Sequence, residues 1–546
     1  MNKFLAILVV LLLGFGNAKS QDLSELSKVN GNVQIDAQMY NKDNVIKTDD
    51  VPEKIRTNSY YYFTYNVAGF TAGLRYEAYM NEILGFEGFR GQGIAHRFID
   101  YKSELLEATL GNFYEQFGSG IILRSYEERQ LGWDNSIDGV RFKINPAKGI
   151  EIKGIAGKVR NFWENGNGIV RGADASVSVF ELFPKLSEMS LIVGASLVSK
   201  YEPDQSATLK LPANVMAHSE RISLSGSQFS VDFEYAHKIN DPMSSVNSNS
   251  YNTGNGMVFN ASYFPDKLGI SMNFHRFDNM DFRSDRGSTG KETVINFLPT
   301  LTKQHVYALT SIYPYSTQAN GEIGVQFDVN YSLGDKKYPF NLALNYSRVH
   351  ALDTAKIDEY TYDSPFPGIS KNLLYQDISI DLTKRWNKQT ETALSYIFLT
   401  SNREVLENHP GRFGRVYAHI QAAELLYRFT SRMSLRAELQ NMFATQSKAI
   451  TEEDKDDQTN GNWAMALVEL TVAPKWYFSL FDQYNYGNDN PDLRVHYPNA
   501  AVAFVHGSTR FSLGYGRQRR GLLCIGGICR QVPSANGFTL SITTSF

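Results

Sequence analysis

The chain has 546 residues, with 54 Lys and Arg against 57 Asp and Glu, a net charge of −3. That balance gives no electrostatic case for a nucleic-acid partner. With 42 % hydrophobic and 20 % charged residues, 42 Gly and 17 Pro, the composition excludes a multi-helix membrane protein, a collagen-like repeat and a disordered chain.

Residues 1–20 read as a secretory signal peptide. Lys3 gives the positive start, Phe4 to Phe15 is apolar, and Ala18 and Ser20 are the small residues before a cut at Gln21. The apolar run is too short to span a bilayer as an anchor. The mature chain, 21–546, is therefore expected to be exported.

From Val29 onward the dominant period is two. At 322–333, Ile323, Val325, Phe327, Val329, Tyr331 and Leu333 alternate with Glu322, Gln326, Asp328, Asn330 and Ser332. Phe340, Leu342, Leu344 and Tyr346 follow the same rule after the turn at 334–337. No amphipathic helix of more than two turns is evident.

The links between these segments alternate in length. Short ones fall near 67–69, 145–149, 182–187, 226–229, 298–302, 334–337, 473–474 and 506–508. Long polar ones fall near 42–56, 81–92, 114–135, 161–168, 278–290, 313–320, 350–372, 441–462 and 521–535. Short turns on one side and long loops on the other is the pattern of an outer-membrane barrel. Clusters such as Tyr60, Tyr61, Tyr62 and Phe63, or Trp476, Tyr477 and Phe478, suit interfacial girdles.

In the last segment Phe538, Leu540, Ile542, Thr544 and Phe546 share one face. A closing strand that ends on Phe546 is the form of a barrel assembly signal. The expected fold is all-β: one large transmembrane antiparallel β-barrel of about 22–26 strands. The segmentation itself gives about 26, reduced to 22 or 24 if strands merge. Short turns and both termini are expected in the periplasm, with the long loops extracellular. Lipid offers the backbone no hydrogen-bond partners, so only a closed sheet satisfies it.

Cys524 and Cys529 flank Gly526–Gly527, a two-residue hairpin turn. They would form a non-hydrogen-bonded pair with Cα atoms about 4.5 Å apart, within disulfide reach. In the segment 111–140, Arg124, Glu127, Glu128, Arg129, Asp134 and Asp138 cluster. They either set a charged constriction in the lumen, facing wall carboxylates such as Asp377 and Asp381, or form a salt-bridged external loop. Arg517, Arg519, Arg520 and Arg530 face lumen carboxylates, lipopolysaccharide phosphates or a solvated wall. The acidic run 451–457 lacks the ligand alternation of a calcium loop and reads as solvated. No linear nucleophile, zinc or phosphate-loop motif appears, so no enzyme, metal or cofactor is expected.

The stretches VNGNVQIDAQMY, GLRYEAYMN (73–81), GNFYEQFGSG (111–120), YEERQLGWDNSIDGVR (126–141) and GIVRGAD (168–174), with the Cys-x4-Cys hairpin, resemble an uncharacterised family of outer-membrane β-barrels from Bacteroidota. Segment 111–141 also resembles porins with an inward-folded early loop, such as the alginate-export and phosphate-selective types. The resemblance implies an outer-membrane barrel in a Gram-negative envelope and supplies no activity. The expected function is a porin-like channel for small polar solutes. The alternative is a structural or biogenesis partner in an outer-membrane complex, with an occluded lumen. Expected partners are outer-membrane lipid, lipopolysaccharide and the barrel-assembly machinery.

Overall fold

The computed structural model describes residues 28–183, 189–407, 412–448, 457–526 and 528–546. The predicted signal peptide, most of the acidic run at 451–457, Gly527 and most of the 182–187 link lie outside them. Most period-two segments become strands. The first eight are β1 (Lys28–Met39), β2 (Ile55–Val67), β3 (Phe70–Met80), β4 (Gly91–Lys102), β5 (Leu106–Phe113), β6 (Ile137–Ala147), β7 (Ile150–Asn161) and β8 (Glu164–Ser178). The next eight are β9 (Ser190–Tyr201), β10 (Asn214–Ser225), β11 (Phe229–Lys238), β12 (Gly254–Tyr263), β13 (Leu268–Asp278), β14 (Gly321–Leu333), β15 (Phe340–Leu352) and β16 (Ile369–Arg385). The last are β17 (Thr390–Asn402), β18 (Arg415–Arg428), β19 (Met433–Gln446), β20 (Trp463–Val472), β21 (Trp476–Asn485), β22 (His496–His506), β23 (Thr509–Gln518) and β24 (Ala535–Ser545).

Each strand pairs antiparallel with its neighbours in one 24-stranded sheet, and β1 pairs with β24 from Asn32↔Ser545 to Gln38↔Thr539. The sheet is therefore a closed barrel with no edge, as expected, and the count falls inside the predicted 22–26. The two strands fewer than the raw segmentation have one cause. The stretches 291–297 and 303–312 are not barrel strands. Everything from 279 to 320 is a single connection between β13 and β14.

Short turns such as 68–69, 148–149, 334–339, 386–389 and 507–508 lie on the rim that also carries Lys28 and Ser545. The longer connections lie on the opposite rim, except 179–189 between β8 and β9, which carries the helical turn Val179–Leu182 on the short-turn side. On the long-loop rim, β7 and β8 are joined by Phe162 and Trp163 alone, where a longer loop at 161–168 is expected.

The outer face follows the apolar rule at the closing strand, where Phe538 and Leu540 are 45 % and 37 % exposed. Phe546 packs against Phe63, with ring centroids 6.1 Å apart, and exchanges backbone hydrogen bonds with Gly31. A Cβ on Gly31 would lie 2.3 Å from the Phe546 ring, so the missing side chain gives that ring its seat. Trp476, Tyr477 and Phe478 are exposed at the short-turn rim, as a girdle requires. Tyr60 departs from the predicted girdle. It points inward, 3 % exposed, and accepts a hydrogen bond from the Tyr79 hydroxyl at 3.1 Å.

Candidate functional site: a lumen filled by its own loops

The segment 114–136 turns into the barrel. Two small ladders shape it: Gln116–Phe117 with Leu123–Arg124, and Glu127–Glu128 with Trp133–Asp134. Ile121, Ile122 and Leu123 at its tip are fully buried. They pack against inward-facing Val159, Val170, Val198, Val215, Ala217, Ala236 and Val258, which line β7 to β12. An apolar tip this deep gains several kcal/mol from burial.

The connection 279–320 enters beside it and has two arms. Met280, Phe282 and Ile295 join the same apolar cluster. Leu301, Tyr307, Leu309, Ile312, Tyr313 and Tyr315 pack instead on Val416, Ala418, Ile420, Met442 and Trp463 of β18 to β20. The two loops are sewn together. The Arg124 amide donates to the Ile295 carbonyl at 2.8 Å and the Phe297 amide to Gly120 at 2.9 Å. Asn135 donates to the Val294 carbonyl at 2.9 Å, and Asn296 to that of Ile121 at 3.1 Å.

Polar bonds fix the second arm to the wall. His305 meets Asp377 at 2.5 Å, Tyr307 meets Ser395 at 2.7 Å, Lys303 pairs with Asp381, and the Leu309 amide donates to Gln440 at 3.0 Å. On the first arm, Arg286 donates to Asp241 at 2.8 Å, and the Asn167 amide donates to Asp285 at 2.7 Å. The backbone there touches the wall directly: a Cβ on Gly168 would lie 1.9 Å from the Ser284 carbonyl oxygen.

Beside the first loop lies a buried ionic cluster. Arg75 bonds Glu77 at 2.7 Å, Glu127 at 3.0 Å and Asp134; Arg160 bonds Glu77 at 2.8 Å and Asp134 at 2.5 Å. Burial alone would raise the Asp134 carboxyl, but the Arg160 and Arg75 guanidinium groups outweigh it and hold it down at about 2. Oxygens of Glu77, Glu127 and Asp134 lie within 4.8 Å of one another, the spacing of a cation site. Arg75 reaches all three carboxylates and Arg160 two of them, so guanidinium groups already neutralise the cluster.

A third element covers the others. The hairpin Gly521–Ile525 with Ile528–Val532 carries the Cys524–Cys529 disulfide, with Cα atoms 4.1 Å apart. Arg530 donates to the Gln130 carbonyl at 3.0 Å and stacks on Phe86, while Arg519 donates to Ser311 at 2.9 Å. The cysteine hairpin thus touches both loops in the lumen. Arg517 pairs with Asp43 at 2.7 Å.

The residues singled out from sequence are only partly brought together. Glu127 and Arg129 pair at 2.8 Å, next to Asp134 in the ionic cluster. Glu128 caps the turn Arg129–Leu131 by accepting from the Gln130 amide. Among the described residues Arg124 pairs with no carboxylate: it lies 4.6 Å over the Tyr126 ring and 4.1 Å over the Phe297 ring. Asp138 sits on the outer face of β6, bonded to Arg97 and Asn165 at 3.2 Å each, outside any constriction. Asp377 and Asp381, expected opposite Arg124 and Arg129, are held instead by His305 and Lys303. The second lumen segment carries no sequence signal of its own, because its alternation resembles that of a strand.

Polarity along the wall follows from this filling. In the upper half of β18, Val416, Ala418 and Ile420 are buried inward while His419 and Gln421 are exposed outward. Lower down the sides exchange: Leu425 faces outward, and Glu424 faces the lumen, where Arg436 binds it at 2.7 Å and Glu469 at 2.8 Å. The short-turn half of the lumen is lined by such half-buried polar groups.

A closed 24-stranded antiparallel ring with a loop-filled interior defines the class: a large, self-plugged β-barrel. The chain belongs to a family of unknown function, DUF6029, whose profile matches residues 1–546. No curated protein sequence matches it. Among solved structures it is similar to the siderophore receptor PirA from Pseudomonas aeruginosa (8 % identity, 95 % of this chain and 80 % of that one, TM-score 0.41). It is also similar to the P pilus usher PapC translocation pore (10 %, 95 % and 99 %, 0.44) and to OccK8 (OprE) from Pseudomonas aeruginosa (8 %, 96 % and 98 %, 0.35).

Proposed function

We propose that the chain is an outer-membrane β-barrel channel of the porin kind, held closed by its own loops. Small polar solutes pass only when the 279–320 segment leaves the lumen. One observation carries this reading: a polar half-lumen at the short-turn rim ends against a packed apolar plug at the other. The short turns face the periplasm, and the plug and cysteine hairpin close the extracellular mouth. In this arrangement the charged cluster of Arg75, Glu127, Arg129 and Asp134 anchors the first loop rather than selecting ions. In planar bilayers the intact barrel should stay mostly closed. Replacing 281–318 by a short Gly-Ser linker should give steady, wide conductance. An inserted deletion barrel that still fails to conduct would overturn the channel reading.

A second reading has its own support. Fully buried Ile121, Ile122, Leu123 and Leu309 pack like a domain core, and such a plug favours a partner subunit whose lumen never opens. Intact barrels with no openings at any voltage, against a conducting deletion variant, would favour it.

A further inference from the structure

Two cations on the outer wall take no part in the ion pairs around them. Lys158 of β7 and Arg171 of β8 lie on the face opposite their buried neighbours Val159 and Val170. Among the described residues neither forms an ion pair; Arg171 only approaches the Tyr201 ring, 5.9 Å away. The register pairs Ala156 with Arg171 and Lys158 with Ile169, so the two cations are diagonal neighbours, about 7 Å apart at their bases.

Their height is informative. Lys158 is about eight residues from the short-turn end of β7 and Arg171 about seven from that of β8. At about 2.6 Å of height per tilted residue, both stand roughly 20 Å up, near the far edge of an apolar band about 25 Å tall. There a charged side chain costs little and reaches the headgroup layer. The acids on this face are held by other partners: Asp138, which the register sets directly across from Lys158, bonds Arg97 and Asn165 at 3.2 Å each, and Glu220 of β10, across from Ala195, binds His218 at 2.9 Å.

Below the cations the wall is shallow. Ala156, Ala173, Ala175 and Ala195 face outward, with the register pairing Ala175 and Ala195 directly. Phe142 and Leu197, 42 % and 45 % exposed, stand as the raised sides. The result is a shallow strip of small outward side chains between two larger ones, lying below two positive charges.

We propose that this face of β7 to β9 binds a phosphorylated lipid of the leaflet on the long-loop side. Lys158 and Arg171 take the phosphate, and the alanine strip takes an acyl chain. Charge complementarity selects the headgroup, since an unpaired Lys and Arg at headgroup height match a phosphate's oxygens, and the polarity gradient along the wall sets the orientation. The proposal rests on the barrel spanning a membrane but not on the lumen ever conducting.

The test uses the full-length barrel purified in detergent, with bound lipid read by native mass spectrometry. The probes are bisphosphorylated lipid A, the same lipid without phosphates, and inorganic phosphate as competitor. The intact protein should retain the phosphorylated lipid. Lys158→Ala with Arg171→Ala should lower occupancy at least about tenfold, to the level seen with the dephosphorylated lipid. Ala173→Trp, which covers the strip and keeps both cations, should also lower it, and inorganic phosphate should not displace the lipid. Full retention by either variant, equal retention of the dephosphorylated lipid, or displacement by free phosphate would each overturn the proposal. Because the readout is binding in detergent, its failure and that of the channel reading are separable.

Discussion

The His305 Nε2 atom lies 2.5 Å from a carboxylate oxygen of Asp377, joining the lumen segment to the inner wall of β16. Both side chains are buried, 5 % and 0 % exposed. A hydrogen bond to a charged group contributes about 1.5–3 kcal/mol. Asp377→Ala should therefore make local opening of 300–315 roughly ten- to a hundredfold more frequent. Hydrogen exchange on that segment reads the change directly. Barrel strands far from β16 should exchange as before, and unchanged protection at 300–315 would show that the apolar contacts alone hold the arm.

Gly168 sets how closely the other arm approaches. Gly168→Val puts a branched side chain where the Ser284 carbonyl sits. Overpacking of this kind costs about 1–3 kcal/mol. The barrel should still close, because the register of β8 does not depend on the loop. Residues 281–296 should become accessible to protease from the long-loop side, while the same substitution at Gly269, where a Cβ meets nothing closer than 3.9 Å, should leave them protected.

The Asp134 carboxyl gives the first loop a pH signature. Its folded value, about 2, lies below the ordinary 3.8, so ionisation favours the folded loop by roughly 2 kcal/mol. That contribution is fully present above pH 4, shrinks as the pH falls below the unfolded value, and is lost near pH 2. Protection across 114–136, taken relative to the intrinsic exchange rate at each pH, should change little from pH 7 to pH 5 and fall below pH 4. Asp134→Asn should exchange faster at neutral pH and show a much weaker acid dependence.

The proposed assembly role of Phe546 makes a comparison possible. Phe546 and Ile357 are both apolar and exposed, 64 % and 69 %, at opposite rims. Phe546→Asp should lower the amount of barrel in the outer membrane several-fold more than Ile357→Asp, because only the first lies on the closing strand seam. Equal abundance of the two variants would remove the assembly reading.

The fold was legible because a closed sheet imposes one rule on nearly every strand. Ile323 to Leu333 and Phe538 to Phe546 obey it over their whole length. The misreading at 303–312 shows the rule's limit. Tyr307 and Leu309 are buried while Val306 is 82 % exposed, so the alternation there is real. Its apolar side meets the inner wall instead of lipid, and period two cannot say which. The reversed pattern at His419, Ile420 and Gln421 has the same origin. Glu127, Arg129 and Asp134 were found because they crowd one loop. Arg75, Glu77 and Arg160, which complete their cluster, arrive from β3 and β7, and nothing local announces them.

The 279–320 segment touches Gly168 on β8 at one end of its reach and Gln440 on β19 at the other. An empty ring of 24 strands is a soft hoop, free to flatten. A chain fastened to distant arcs of that hoop works as a tie-rod and fixes the cross-section. Removing it would then do more than clear a path: the hoop itself would relax, and the width of the opened pore would be set by the lipid pressing from outside.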